Sequence, residues 1–278
     1  MAYEEVLYEV ADHVATVTLN RPNKLNAWTM RMEEEVSAAM GQAAEDDGVR
    51  VIVFTGSGRG FCAGADMEML GSLLMSGGAG LDFSKITGPA GPRKDDPDVP
   101  KDFHTKYGYF PSIPKPILAA VNGVAAGLGF VLPLYCDIRI AAENATFNTT
   151  FAKRGLIAEH GSNWMLPRLV GTANALDLFL TARTIDAAEA LRIGLVNRVL
   201  PQEGFIDAVR AIAREIATTV SPRSTRVMKE QIYRSWGQSL AEGYSQSNEA
   251  MIQSFFSEDF REGVAHFLEK RPPRFSGK

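Results

Sequence analysis

Cysteine is nearly missing from this chain: Cys62 and Cys136 are the only two in 278 residues, with no CxxC pair and no Cys/His cluster. That supports neither a disulfide scaffold nor a zinc site, and no metal is implied. No run reaches the roughly 18 apolar residues of a membrane span. The N-terminus carries Glu4, Glu5 and Glu9 and lacks the apolar core of a signal peptide. Basic residues are not in excess either: 29 Lys and Arg against 33 Asp and Glu leave a net charge of −4. Nucleic-acid binders usually carry basic patches, so no such partner is expected. Together these absences predict a reduced, cytoplasmic protein with neither membrane nor nucleic acid as partner.

What is present is an ordinary globular composition, 45% hydrophobic and 22% charged, with length for one large domain or one domain and an appendage. Residues 6–10 and 13–19 alternate or run apolar around a short Ala11-Asp12 connection, a β-hairpin pattern. Between 29 and 47, Met32, Val36, Ala39, Met40 and Ala43 recur at helical spacing. Strands are expected at 51–55, 117–121, 137–142 and 195–200, and helices at 161–169, 173–181 and 186–193. Ten of the thirty residues from 71 to 100 are Gly or Pro, which predicts a long loop, followed by a short helix over 101–110. Beyond 202 the patterned stretches are all helical, at 205–220, 224–236, 240–256 and 259–270. Strands alternating with helices predict α/β architecture, and the helical tail an appendage.

Two glycine-bearing segments carry the chemistry. Residues 56–66 (GSGRGFCAGAD) and 122–129 (NGVAAGLG) each follow an apolar strand pattern and precede a helix-compatible one. Glycine lets a backbone turn sharply and bring its N–H groups close to a ligand. Two such turns facing one another would aim two amide donors at a single oxygen, an oxyanion hole.

These segments resemble the enoyl-CoA hydratase/isomerase (crotonase) superfamily, and the resemblance covers essentially the whole chain. Residues 21–27 (RPNKLNA) resemble its RPxxxNA loop, and 58–66 its GxGxxFxAGAD segment. The 122–129 segment, followed by Cys136-Asp137, resembles its NGxxxGxGxxxxxxCD segment. LPRLVG at 166–171 and AAEA through GLV at 187–196 resemble two further stretches. The resemblance implies a spiral of ββα units over 1–201, holding an oxyanion hole and acyl-CoA pocket. It implies a helical oligomerisation region over 202–278 that builds a homotrimer or a dimer of trimers. The substrate implied is an acyl-CoA thioester, with coenzyme A as part of the substrate and no separate cofactor. The oxyanion donors implied are the backbone N–H groups of Ala63 and Leu128, with Gly64, Ala65, Asp66 and Gly127 beside the substrate. For Asp66, capping the following helix is the simpler account. At the coenzyme A end the resemblance points to Lys24, Phe267 and Lys270.

The chain departs from a hydratase at two places. Hydratases of the family hold one water between two glutamates, and the aligned positions here are Val131 and Phe151. Neither side chain binds water or moves a proton. Instead, GLIAEHG at 155–161 resembles the site segment of the dienoyl-CoA isomerase branch, with Glu159 in place of its catalytic Asp. One carboxylate there would take a proton from one carbon and return it to another, which is double-bond isomerisation of an enoyl- or dienoyl-CoA. His160 is the adjacent candidate, and His104 a candidate lining residue of the acyl pocket. Cys62 is expected to pack as a small apolar residue. Other readings stay open: an enoyl-CoA hydratase or C–C hydrolase on the same hole, or a non-catalytic CoA-binding protein. A NAD-dependent dehydrogenase would use GxGxxA at 58–63 with Asp82, although Asp82 falls in the Gly-rich loop rather than at a strand end.

Overall fold

The structure is a computed structural model that describes residues 3–75 and 88–278. Strands β1 (Val6–Ala11) and β2 (Val14–Leu19) form the expected antiparallel hairpin. β2 then opens a parallel run with β3 (Val51–Gly56), β5 (Ile117–Val121), β7 (Ile138–Ala142) and β10 (Arg198–Leu200), in the order β1-β2-β3-β5-β7-β10. β3 and β5 are buried at every residue, as strands covered on both faces must be.

Three times the chain leaves this sheet, enters a short strand of a second sheet and continues into a helix. β3 leads to β4 (Gly60–Cys62), and β5 to β6 (Val124–Ala126). β7 leads to β8 (Thr146–Asn148), and β9 (Ile185–Asp186) completes the order β4-β6-β8-β9. After α1 (Met30–Glu45), the helices that follow these short strands are α2 (Met67–Met75), α3 (Leu128–Leu134) and α4 (Ser162–Thr181). The result is the spiral of ββα units. α1 begins at Thr29, whose hydroxyl accepts the Met32 N–H at 3.0 Å, and it buries Met32, Val36, Ala39, Met40 and Ala43.

After the short helix α5 (Ala187–Arg192), α6 (Phe205–Thr219) lays Phe205, Val209, Ala213 and Ala217 on Val14, Val51, Val53 and Leu118 of the main sheet. A parallel sheet needs a cover on each face, and α6 supplies it here. α6 thus lies beyond the division expected at 202 yet packs on the main sheet; α7 (Pro222–Ser235), α8 (Leu240–Phe255) and α9 (Glu258–Glu269) follow it. α7 is tied to the core by Lys229, whose Nζ lies 2.8 Å from Asp137 Oδ2 and donates to the carbonyls of Phe110 and Lys115. Tyr233 adds a hydroxyl bond to Asp137 Oδ1 at 3.0 Å.

Three expectations change. The loop placed at 71–100 starts later, because α2 runs on to Met75; residues 76–87 lie outside the described part. The helix expected over 101–110 is two 3-10 turns, Lys101–Phe103 and Phe110–Ser112, since Gly108 and Pro111 interrupt a continuous hydrogen-bond ladder. The two helices expected over 161–181 form α4, broken at Gly171 with φ 76 and ψ 158. Among the described residues no helix is long and apolar enough to cross a membrane.

Candidate active site

The first glycine turn is fastened from two sides by asparagines. The buried Asn26 donates Nδ2 to the carbonyls of Ser57 (2.9 Å) and Gly60 (2.8 Å), and Asn122 donates to that of Gly58 (3.0 Å). Beyond it, Trp28 pairs with Ala65 as a parallel bridge: its N–H donates to Gly64 O at 2.8 Å, and its carbonyl accepts the Asp66 N–H at 2.9 Å. That pattern engages the groups on either side of Ala65 and leaves the Ala65 N–H without an acceptor among the described residues. Ala63 differs. Its N–H donates to Leu25 O at 3.0 Å, because Leu25 sits in the left-handed region (φ 49) and turns its carbonyl back onto this strand. The donor role expected of Ala63 is thus corrected, and Ala65, two residues on, carries the open amide.

In the second turn Gly127 adopts φ 54 and ψ −120, a conformation side chains resist. Its N–H donates to Asn148 O at 3.0 Å and its carbonyl accepts from Phe130 and Val131. Leu128, the first residue of α3, has no acceptor for its N–H among the described residues, as the opening amides of a helix lack intrahelical partners. The two turns touch. A Cβ built on Gly64 would stand 2.9 Å from Ala126 O and 3.7 Å from Leu128 N, and one on Gly129 would overlap the Cys62 carbonyl. Cys62 itself is fully buried with its thiol pushed up to about 12 by that burial, so it packs as expected rather than reacts.

Asp66 is occupied by the fold. It accepts from the Glu68 N–H at 2.9 Å and pairs with Arg21 Nη1 at 2.9 Å, and chiefly the Arg21 bond holds its carboxyl below the usual range. It caps α2, and its carboxylate is not free to meet a substrate. Lys24 is exposed, with its Nζ 3.1 Å from Glu68 Oε1. Phe267 is 77% exposed on α9 and Lys270 ends that helix; α9 packs on α8 and on residues 276–278. Within one chain neither is brought to the turns.

Val131 and Phe151 are buried in the core cluster that also contains Leu128. Glu159 lies between the 3-10 turn Ala152–Arg154 and α4, in a segment bent by left-handed residues Gly155, His160 and Gly161. Burial pushes its carboxyl above the ordinary range. His160 Nε2 lies 3.6 Å from its Oε2. Burial, with Lys106 adding to it and Glu33 opposing, pushes the His160 imidazole down to about 4, so it is neutral at pH 7. Tyr135 donates its hydroxyl to the His160 carbonyl at 2.5 Å.

Four residues of this neighbourhood were not anticipated. The Tyr107 ring meets His160 edge-on at 5.0 Å and Trp28 at 5.9 Å. Its hydroxyl donates to Glu33 at 3.1 Å, and Lys106 Nζ lies 2.9 Å from the same oxygen. A line of aromatic rings thus joins the Trp28–Ala65 bridge to Glu159. Trp28 directly follows the RPNKLNA loop, and Glu33 lies in the first turn of α1; those are the signals that could have found them. Nothing local marks Tyr107 or Lys106. His104 keeps a buried Nε2 without a partner among the described residues, and no described contact joins it to Glu159 or His160. The dinucleotide fingerprint fails on context, since residues 58–63 enter strand β4 instead of a helix; Asp82 lies outside the described residues.

The sequence profile of the enoyl-CoA hydratase/isomerase family matches residues 9–76 and 77–278. The chain belongs to that family. It is 36% identical over 276 residues to a probable enoyl-CoA hydratase of Mycobacterium tuberculosis, covering 99% of each chain. It is 34% identical over 276 residues to the 1,2-epoxyphenylacetyl-CoA isomerase of Escherichia coli, again covering 99% of each. The crystal structure of a probable enoyl-CoA hydratase/isomerase from Mycobacterium abscessus superposes with a TM-score of 0.85 at 33% identity, covering 99% of both chains. This hydratase/isomerase family member is therefore an acyl-CoA-transforming enzyme with the crotonase spiral. Hydratases and an isomerase stand side by side among its relatives.

Proposed function

We propose that this enzyme moves a double bond in an enoyl- or dienoyl-CoA, with Glu159 as acid and base and the thioester enolate held by the Ala65 and Leu128 amides. One observation carries the reading: the carboxylates available between 122 and 160. Of the three, Asp137 is bonded to Lys229 and Glu143 is exposed at the end of β7. Glu159 is part-buried and, among the described residues, is paired with no cation at neutral pH. The places where a hydratase keeps its pair hold Val131 and Phe151 in the core.

The chemistry follows from where charge goes. Glu159 removes a proton from a carbon conjugated to the thioester, and the electron pair moves onto the carbonyl oxygen. Two fixed N–H dipoles stabilise that oxygen without reorganising, each worth about 2.7–4 kcal/mol in comparable holes. Glu159 then returns the proton to a different carbon, and no water is consumed. A raised carboxyl suits the role, because a base near the working pH both accepts and releases protons readily. His160, neutral and 3.6 Å away, favours a second reading in which the pair holds a water for addition or hydrolysis.

Coenzyme A would lie past Lys24 at the rim. The tail helices expose Leu240, Tyr244, Phe256, Phe267 and Leu268, more apolar surface than a monomer keeps in water. We place the enzyme in a trimer or a dimer of trimers, where Phe267 and Lys270 reach a neighbour's coenzyme A. Incubation with 2-enoyl-, 3-enoyl- and dienoyl-CoA panels in deuterated water tests the reading: isomerised, deuterated product is expected. Fast hydration of a simple 2-enoyl-CoA with no isomerisation would overturn it.

A further inference from the structure

Between α7 and the 93–114 segment lies a cavity of about 540 Å³, within the usual size of a small-molecule site. Its wall is basic in a chain of net charge −4: Arg93, Arg223, Arg226 and Arg234 line it, against Asp98 and Glu230. Arg223, Arg226 and Arg234 recur at three- and eight-residue steps, which places them on one face of α7.

The counter-charges do not cover these groups. Arg93 is paired with Asp96. Arg234 is paired with Glu230 and donates to Asp98 O, yet its Nε is buried without an acceptor. Arg223 donates only to a neutral oxygen, Ser254 Oγ, at 2.8 Å, and Arg226 has no carboxylate partner among the described residues. Two guanidinium groups one turn apart without counter-charge repel each other, and a buried N–H without an acceptor is costly. Phosphate oxygens relieve both, because the planar fork of arginine matches them in pairs. Val99, Phe103 and Ile113 add an apolar wall for an uncharged portion.

We infer that this cavity binds a small molecule carrying a diphosphate and a planar aromatic ring, the chemistry of a nucleoside diphosphate, at a place separate from the acyl-CoA site. Ala65, Leu128 and Glu159 are absent from its lining.

Isothermal titration of the full-length protein with inorganic pyrophosphate, ADP and adenosine tests this. Pyrophosphate and ADP are expected to bind, and adenosine not to. Arg226→Glu, on an exposed residue, is expected to keep melting temperature and turnover while weakening both ligands about tenfold or more. Absence of pyrophosphate binding overturns the inference, as does adenosine binding alone. So does ADP binding that persists unchanged in Arg226→Glu, which would place the nucleotide in the coenzyme A groove.

Discussion

Burial acts in opposite directions on Glu159 and His160, and that contrast sets the pH behaviour of the site. The Glu159 carboxyl is raised above 4.5 by desolvation, so the base is lost as pH falls through that raised value, and kcat/KM is expected to drop on that acid limb. Glu159→Gln should lower turnover by about 10²–10⁴-fold with a smaller change in KM, measured on the best substrate of the CoA panel. For stability the sign reverses between the two residues. Folded Glu159 holds its proton above 4.5, so its contribution is present at low pH and lost as pH rises. Glu159→Gln should then be at least as stable as the parent at neutral pH. His160 falls from 6.5 to about 4, so the unfolded chain binds more protons in that window and stability drops as pH is lowered through it. Urea midpoints followed across this range should show a shallower drop for His160→Asn. The GLIAEHG segment was enough to put Glu159 forward as a candidate, but the open amide was misplaced by two residues. The bond from Ala63 to Leu25 O depends on a left-handed Leu25, and no periodicity announces that.

At the scale of elements, long strands and helices with a regular apolar period were legible, as with α1, β3, β5 and the helices beyond 204. The second sheet was not, because β4, β6, β8 and β9 are two or three residues long and show no alternation to count. α6 was assigned to the tail since its stripe looks the same whether it faces a sheet or another helix. Two tests belong here. Leu128→Pro removes the second amide at the first position of a helix, where proline is tolerated; kcat is expected to fall about 10²–10³-fold, with circular dichroism unchanged. Lys229→Ala leaves the part-buried Asp137 carboxylate without its cation, although the Ile117 N–H and the Tyr233 hydroxyl still donate to it; the loss should stay below the roughly 3–5 kcal/mol of a fully buried pair. A urea midpoint equal to the parent's would show that the tie between α7 and the core is not supporting the fold.

At the scale of the whole molecule, the tail's bare apolar helices predict association. Light scattering on a sizing column should return three or six times 30.3 kDa, and Phe256→Asp, on a residue 75% exposed in one chain, should shift the mass downward. Inside the chain the glycine turns are interlocked, since any side chain at Gly123 or Gly129 would strike the main chain at Arg59 or Cys62. No slack is left for one half of the hole to fray while the other persists. Heat should therefore abolish turnover and near-ultraviolet dichroism at a single temperature. By the same logic, changes in the 88–110 segment can retune which acyl group fits while the groups that catch the oxygen's charge stay where they are.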